Sequence, residues 1–318
     1  MGTEPCIVPL DYDRHSGEFV TVRATDAELA ERLRLSALDF PLERLRLLPR
    51  ARAADLWPSP ATPVLSYLLH LPFSGSSLLS AHLNHAGFRV LRDPALLDAL
   101  FQDEAAVQGR CPTDLAALRG IALGGFAARS RDRPAFIRTA GYHPTMAARL
   151  LSNPGTRGAV FLYCDWRDLV CQILKDARRQ TDILHLGRTR KARLAGHTPR
   201  DAAEAAAWFW LSYMRAMTVA AVPNPFWTLD AETLFAAPDR AAAAIARRHG
   251  IDPPLAAKVD ALARSHAKTG APYDEARRRA DREANRARFA DVLARLKEPM
   301  GAEGAEALVA QINEVAPP

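Results

Sequence analysis

A short polar loop, SGSS (74–77), separates two apolar runs and has the residue types of a phosphate-binding turn. The run VLSYLLHL (64–71) precedes it, and SSLLSAHLNHA (76–86) follows it with helical spacing. Where a buried parallel strand turns into a helix, backbone N–H groups and the helix N-terminus attract an anion. Gly75 lets the backbone approach an oxygen closely, and the three serines offer hydroxyl donors. The loop is therefore a candidate anion site.

The same four letters are also typical of a helix N-cap. Serine is among the preferred N-cap residues, and a serine cap needs no ligand. The loop lacks the lysine of the pattern GxxxxGK[ST], which argues against hydrolysis of a nucleoside triphosphate with a P-loop lysine and magnesium. From the loop alone, an anion site and a simple helix cap both remain open.

Strand-like and helix-like runs alternate around this loop. The pattern predicts strands at 64–71, 88–93, 135–141, 158–165 and 225–230, and helices at 76–86, 94–101, 112–130, 144–152, 166–179 and 202–222. Such alternation predicts an α/β fold of three layers, with a central parallel sheet and helices on both of its faces.

The two ends of the chain differ from this core. Residues 1–60 contain a strand pair, CIVPLDY and GEFVTV, and a helical stretch over 26–40, which we interpret as an N-terminal embellishment. Residues 61–250 form the predicted core, and residues 251–318 form a helical C-terminal extension packed on it.

Composition sets only broad limits. The chain has 318 residues, of which 48% are hydrophobic, enough for a full core in one large or two modest domains. The formal charge of +6 suits an anionic ligand, although a mild excess is equally common on proteins that bind nothing charged. Abundant alanine and arginine with scarce lysine indicate a GC-rich bacterial genome.

The cysteines and apolar stretches favour a reduced, cytoplasmic setting. No signal-peptide pattern opens the chain, and the longest apolar stretch, 205–222, carries Arg215 near its middle, which favours a buried helix over a membrane span. The cysteines form no CxxC pair and no zinc-like cluster with histidine, so we expect no metal; they are Cys6, Cys111, Cys164 and Cys171.

The order of these segments resembles the P-loop sulfotransferase family, particularly its bacterial members. The resemblance covers roughly residues 62–250, with a weaker echo in SHAKTGAPYD (265–274). It implies a P-loop NTPase-like fold and, as donor, 3′-phosphoadenosine-5′-phosphosulfate, whose 5′-phosphosulfate is gripped by the loop. The matching loop residues are Ser74, Gly75, Ser76 and Ser77.

The resemblance also implies roles for residues outside the loop. Asp93, followed by Pro94, matches an acidic residue that takes the proton from an acceptor hydroxyl or amine, and Arg138 matches a lysine that stabilises the leaving group. Lys268 matches a phosphate contact in a late loop. Transfer of the sulfuryl group would be direct and in line, without a metal.

Three positions depart from the family pattern. Phe73 replaces a cation before the loop, Cys164 replaces the arginine that binds the 3′-phosphate, and Gln172 replaces a serine that also binds it. By sequence order, Arg138 and Arg92 are the nearest substitutes for the lost cation. The sequence therefore predicts either a sulfotransferase or a catalytically degenerate relative that binds a partner or another phosphate ligand.

Several of these residues have a simpler interpretation. Asp93 also fits a cap on the helix that Pro94 begins, and His70 is better explained as a satisfied, half-buried histidine than as a base. Cys164 fits an apolar filler, although a thiol at a helix N-terminus would be reactive.

Two basic stretches remain. Residues 185–197 are interpreted as a lid that supplies cations, and 274–288 as a solvated helix face. Neither stretch interleaves aromatic residues with its charges, so nucleic acid is not the expected partner. The expected partners are an anionic nucleotide donor and an acceptor that the sequence does not identify; it does not indicate the oligomeric state.

Overall fold

Three antiparallel strands begin the chain: β1 (Cys6–Asp13), β2 (Glu18–Ala24) and β3 (Leu45–Pro49), in the order β1-β2-β3. The sequence predicted the first two and missed the third. The computed structural model describes residues 5–13, 15–30, 32, 35–101, 115–130, 133–139, 146–189, 197–221, 226–252 and 274–315. Buried side chains of β1 and β2 join the same apolar core as one face of the central sheet.

The helix predicted over 26–40 is wrong beyond its first turn. Helix α1 spans Asp26–Ala30, and Leu35 is extended beside the central sheet. The N–H of Leu35 donates to the Arg92 carbonyl, and the Leu35 carbonyl accepts from Ala95. These bonds, to the end of β5 and the start of α4, replace those that a continued helix would make.

The central sheet has five parallel strands. They are β4 (Leu65–His70), β5 (Arg89–Arg92), β6 (Ala135–Arg138), β7 (Thr156–Tyr163) and β8 (Phe226–Asp230). Their order is β5-β6-β4-β7-β8, so β4 lies in the middle and all five carboxyl ends lie at one edge. All five were predicted from apolar runs, to within three residues at each end.

Helices cover both faces of this sheet. In chain order they are α2 (Arg50–Leu56), α3 (Ser76–His85), α4 (Ala95–Phe101), α5 (Leu115–Ala127), α6 (Met146–Leu151), α7 (Trp166–Leu174), α8 (Ala177–Thr189), α9 (Ala202–Ala221), α10 (Ala231–Ala236), α11 (Pro238–Arg248), α12 (Glu275–Arg288), α13 (Ala290–Ala302) and α14 (Ala305–Val315).

Successive residues of each strand face opposite layers, as a period of two requires. Leu68 and Val160 pack with α3 and α11, whereas Tyr67 and Phe161 pack in the larger core with α7 and α9. Full burial of a side chain of this size contributes roughly 1.5–3 kcal/mol. This arrangement is the predicted three-layer α/β architecture.

The helix predicted over 166–179 is two helices. Helix α7 ends at Leu174, and the chain turns at Asp176 before α8 begins. The Asp176 carboxylate accepts from the Arg179 N–H at 3.0 Å, so it caps the new helix. The break brings Arg179 back towards the loop that follows β4.

The C-terminal helices α13 and α14 pack on α9, where Leu296, Met300 and Ile312 are buried. Arg215 of α9 pairs with Glu303 between these two helices. None of the helices in the described ranges combines the length and apolarity needed to cross a membrane.

Candidate active site at the carboxyl edge of the sheet

The loop after β4 has an unusual backbone that only part of its sequence explains. Gly75 has φ 95°, and a Cβ at this position would lie 2.9 Å from Cζ of Phe235 on α10, so glycine is required twice over. Phe73 has φ 65°, a conformation that costs a non-glycine residue about 1 kcal/mol or more. The packing around the loop therefore holds it in a strained shape.

The serines of the loop do not cap α3. Its N-cap residue is Gly75, which makes no side-chain cap hydrogen bond. The Ser74 hydroxyl is buried and donates backwards to the Leu71 carbonyl at 2.7 Å. The first-turn N–H groups of a helix have no intrahelical acceptor, and here no serine oxygen caps them. The cap alternative left open by the sequence is not what the structure shows.

Arg138, Asp93 and Ser77 form a hydrogen-bonded group beside this loop. Arg138 ends β6 and is buried; its Nε and Nη2 donate to the two Asp93 carboxylate oxygens at 2.7 and 2.5 Å, and its Nη1 donates to Ser77 Oγ at 2.9 Å. The Asp93 carboxylate therefore faces the guanidinium, and Asp93 itself has φ 44°. The structure brings together three residues that the sequence placed in one site.

Arg92 is a second cation in this group. It lies directly opposite Arg138 in the pairing of β5 with β6. Its Nε is buried without a hydrogen-bond partner, and its side chain makes no ion pair with any residue that the structure describes. Burial, and then the neighbouring Arg138 cation, lower the pKa of the Arg92 guanidinium. An anion at the loop would relieve both effects.

Arg179 is a functional candidate that the sequence reasoning missed. Its guanidinium lies over the ring of Phe73, 4.6 Å from the ring centroid. A cation therefore lies next to the position where the family pattern has one, although it comes from α8. The signal that would have found it is Asp176, a helix cap inside what we interpreted as one helix.

His70 is a buried structural residue. Its Nδ1 lies 3.0 Å from the Leu71 carbonyl, which can only accept, so this nitrogen carries the proton. Burial is the main cause that lowers the pKa of His70, so the ring is neutral at pH 7. Its Nε2 is buried and has no hydrogen-bond partner among the described residues.

At the end of β7, Cys164 is packed rather than exposed. Its Sγ lies 3.8 Å from the Pro72 carbonyl, and its own carbonyl accepts from Trp210 Nε1 at 2.7 Å. Burial raises the pKa of the Cys164 thiol well above its usual range, so it is neither a nucleophile nor a charge partner. Gln172 is half-buried on α7, and its carbonyl accepts from Arg179 Nη1.

A cavity of about 350 Å³ opens beyond the ends of β7 and β8. Its apolar wall includes Tyr163, Trp166 and Trp210, and α10 and α14 close its sides. Its charged lining residues are Asp165, Arg167, Asp230, Glu232, Arg282 and Glu306. The cavity is therefore rich in carboxylates.

Helix α12 crosses this region with a row of arginines. Arg278 pairs with Glu232 at 2.7 Å, Arg282 pairs with Asp168 at 2.8 Å, and Arg286 pairs with Asp168 at 2.7 Å. No residue of α12 is buried, so charge pairs are its main attachment here. The sequence predicted that this helix has a solvated face. The helix also has a second face, whose arginines pair with carboxylates of the core.

These residues fit only one end of the donor that the resemblance implies. The loop, Arg92 and Arg138 offer N–H donors and positive charge to a 5′-phosphosulfate. The position of Cys164 offers no charge to a 3′-phosphate, and the carboxylates of Asp165 and Asp168 already occupy the N-terminus of α7. Lys268 and residues 190–196 of the basic stretch lie outside the described residues.

Comparisons with known proteins show a distant likeness. No family model and no curated protein match the chain. The sulfotransferase domain from the curacin biosynthetic pathway is similar at 14% identity and a TM-score of 0.40, over 66% of this chain and 80% of that domain. The sulfotransferase domain from the Synechococcus PCC 7002 olefin synthase is similar at 14% identity and 0.41, over 70% and 86%. At this distance, activity has to be argued from the site itself.

Proposed function

We propose that the protein is a sulfotransferase-like P-loop protein that holds an anionic group of a nucleotide donor on the loop at 73–77. A sulfuryl group would pass from this donor to a hydroxyl or amine acceptor. The observation that carries the proposal is the uncapped N-terminus of α3, together with Arg92, whose side chain makes no hydrogen bond or ion pair with the described residues. Arg138 links the two, since it contacts Ser77 of α3 and lies opposite Arg92 in the sheet, so N–H donors and positive charge lie at the same end of the sheet.

Each residue of the group has a role in such a transfer. The N–H groups of α3 and the Ser76 hydroxyl bind the anion, and Arg92 neutralises it. Sulfuryl transfer, like phosphoryl transfer, depends on positioning and on stabilising the charge that develops on the leaving group. Arg138 orients the Asp93 carboxylate, which is partly exposed and takes the proton of the acceptor.

A second candidate function is binding without transfer. The observation that favours it is the Asp93–Arg138 pair, in which both carboxylate oxygens already accept from the guanidinium. A base held in this way abstracts a proton only if the acceptor reaches a remaining lone pair.

Calorimetric titration of the purified protein with adenosine 5′-monophosphate tests the shared anion site. We expect micromolar binding that Arg92→Gln weakens roughly tenfold to a hundredfold, because a charge-assisted hydrogen bond contributes about 1.5–3 kcal/mol. Ser76→Ala should weaken it less. Arg52→Gln, an exposed arginine on α2, is the matched control and should change nothing. Absence of heat at millimolar concentration, both with this nucleotide and with adenosine 3′,5′-bisphosphate, would contradict the proposal.

Transfer and binding are then separated by turnover. The protein is incubated with adenosine 5′-phosphosulfate or its 3′-phosphorylated form and a set of phenol and amine acceptors. Release of the desulfated nucleotide that Asp93→Asn abolishes, with nucleotide affinity retained, supports transfer. Intact binding with no release from either donor favours the binding protein.

A further inference from the structure

The cavity at the ends of β7 and β8 is joined to the loop by shared walls. Helix α10 lines the cavity with Ala231 and Glu232 and packs Phe235 against Gly75 on the loop. On the other side, Cys164 lines the cavity while its Sγ contacts the Pro72 carbonyl. A nucleotide held on the loop by its 5′ group therefore has the cavity as the adjoining space for its sugar.

Carboxylates outnumber cations in the cavity lining. The lining contains four carboxylates, those of Asp165, Asp230, Glu232 and Glu306, and two guanidinium groups, and Arg278 and Arg286 of α12 pair with Glu232 and Asp165 from its margin. A carboxylate oxygen accepts from the hydroxyl of a ribose, whereas a phosphate on the ribose calls for arginine. The carboxylate oxygens of the lining thus favour a sugar with free hydroxyls.

The two cations in the lining already have partners. Arg167 pairs with Asp165 at 3.1 Å, and Arg282 pairs with both Asp168 and Glu232, at 2.8 and 3.1 Å. A phosphate in this space would have to take an arginine from a carboxylate and leave that carboxylate beside it, unpaired. Ribose hydroxyls need no such exchange, because they can donate to the remaining lone pairs of the carboxylates without breaking an ion pair.

We propose that this protein takes a nucleoside 5′-phosphosulfate or 5′-phosphate whose ribose carries free 2′ and 3′ hydroxyls, and that it discriminates against the 3′-phosphorylated form. The inference rests on the proposed function, since it concerns the ligand of the same loop. It differs from the donor implied by the sequence resemblance, because the cavity does not fit the 3′-phosphate of that donor.

Parallel titrations of the full chain with adenosine 5′-monophosphate and adenosine 3′,5′-bisphosphate test this inference. We expect the monophosphate to bind at least tenfold more tightly. Equal or tighter binding of the bisphosphate would overturn the inference and leave the proposed anion site standing. No heat with either ligand would overturn both.

Variants locate the discrimination in the cavity. Glu232→Gln should strengthen binding of the bisphosphate and so reduce the ratio of monophosphate to bisphosphate affinity several-fold. Glu306→Gln should have the same effect, and because Glu306 is exposed its substitution carries little risk to folding. Glu275→Gln is the matched control, since Glu275 pairs with Arg278 on α12 and does not line the cavity. Ratios that stay unchanged in both cavity variants would also overturn the inference, because the discrimination would arise elsewhere.

Discussion

Along the carboxyl edge of the sheet, the end formed by β4, β5 and β6 and the end formed by β7 and β8 differ in how their arginines are paired. At the end formed by β4, β5 and β6, the Arg92 side chain makes no hydrogen bond or ion pair with the described residues, and the N-terminus of α3 is uncapped. At the end formed by β7 and β8, Arg282 and Arg286 lie on the carboxylates of Asp168 and its neighbours. Both ends contain arginines, so the number of arginines does not identify the binding end. The end with the unpaired arginine side chain is the candidate for binding an anion.

Backbone strain divides the two ends in the same way. Among the described residues, the non-glycine residues with positive φ are Phe73 and Asp93, and both lie at the first end. Such conformations persist only where the surrounding packing fixes them, and they cluster at binding and catalytic sites. Strain and unpaired charge therefore point to the same place.

The largest difference between the ends should be in the free energy of unfolding when one arginine is removed. Arg138→Ala leaves the Asp93 carboxylate partly buried without its cation, and we expect a loss of roughly 3 kcal/mol. The measurement is urea denaturation followed by circular dichroism, at pH 7 and low salt.

A double-mutant cycle provides the control for this effect. Asp93→Asn combined with Arg138→Ala should recover part of the loss, because the amide does not leave a charge unpaired. Arg52→Ala on α2 should be neutral. If Arg138→Ala costs less than 1 kcal/mol, the pair is not the anchor of this end, and its geometry argues nothing about the site.

A second expected effect is a loss of stability at low pH, caused by a buried histidine that packs under the central sheet. His249 lies on the α3 face of the sheet, in edge-to-face contact with Phe88, which precedes β5, with Phe136 of β6 and with Trp227 of β8. Burial, and then Arg157, lower the pKa of His249 to about 4, against about 6.5 in the unfolded chain. The unfolded chain therefore binds the extra proton first as the pH falls.

The stability that neutral His249 contributes is thus present above pH 6.5 and is lost between about pH 6.5 and 4, by up to about 3 kcal/mol. The measurement is the urea midpoint at pH 7 and at pH 5. His249→Phe should flatten this slope, whereas His15→Phe, at an exposed position, should not. Equal slopes in wild type and His249→Phe would contradict the assignment. Comparing wild type with His249→Phe also separates a loss of folding at low pH from a change in the charge of the anion site.

Features of the structure that depend on local sequence patterns were predicted, whereas features that depend on contacts between distant segments were not. The strands of the central sheet follow from their own apolar runs, so β4 and β7 were placed within three residues. The loop at 74–77 and its neighbours Asp93 and Arg138 follow from strand order, because parallel strands end at one edge.

The remaining features depend on contacts between distant segments, which no local pattern encodes. Arg179 reaches Phe73 only because Asp176 starts a new helix, and the α12 arginines find carboxylates on α7 and α10. The helix predicted over 26–40 failed for the same reason, since Leu35 bonds to Arg92 and Ala95 far along the chain.

The smallest expected effect tests the paired end directly. Arg282→Ala removes two ion pairs whose members are partly exposed, so we expect a loss of only about 0.5–1 kcal/mol, which should shrink further in 0.5 M NaCl. The unfolding free energy at two salt concentrations measures it, with Arg52→Ala as the control. A loss as large as that of Arg138→Ala, or one insensitive to salt, would mean that α12 is held by more than charge. The proposed difference between the β4–β6 end, with its strained backbone and unpaired Arg92 side chain, and the β7–β8 end, with its salt-sensitive ion pairs, would then be wrong.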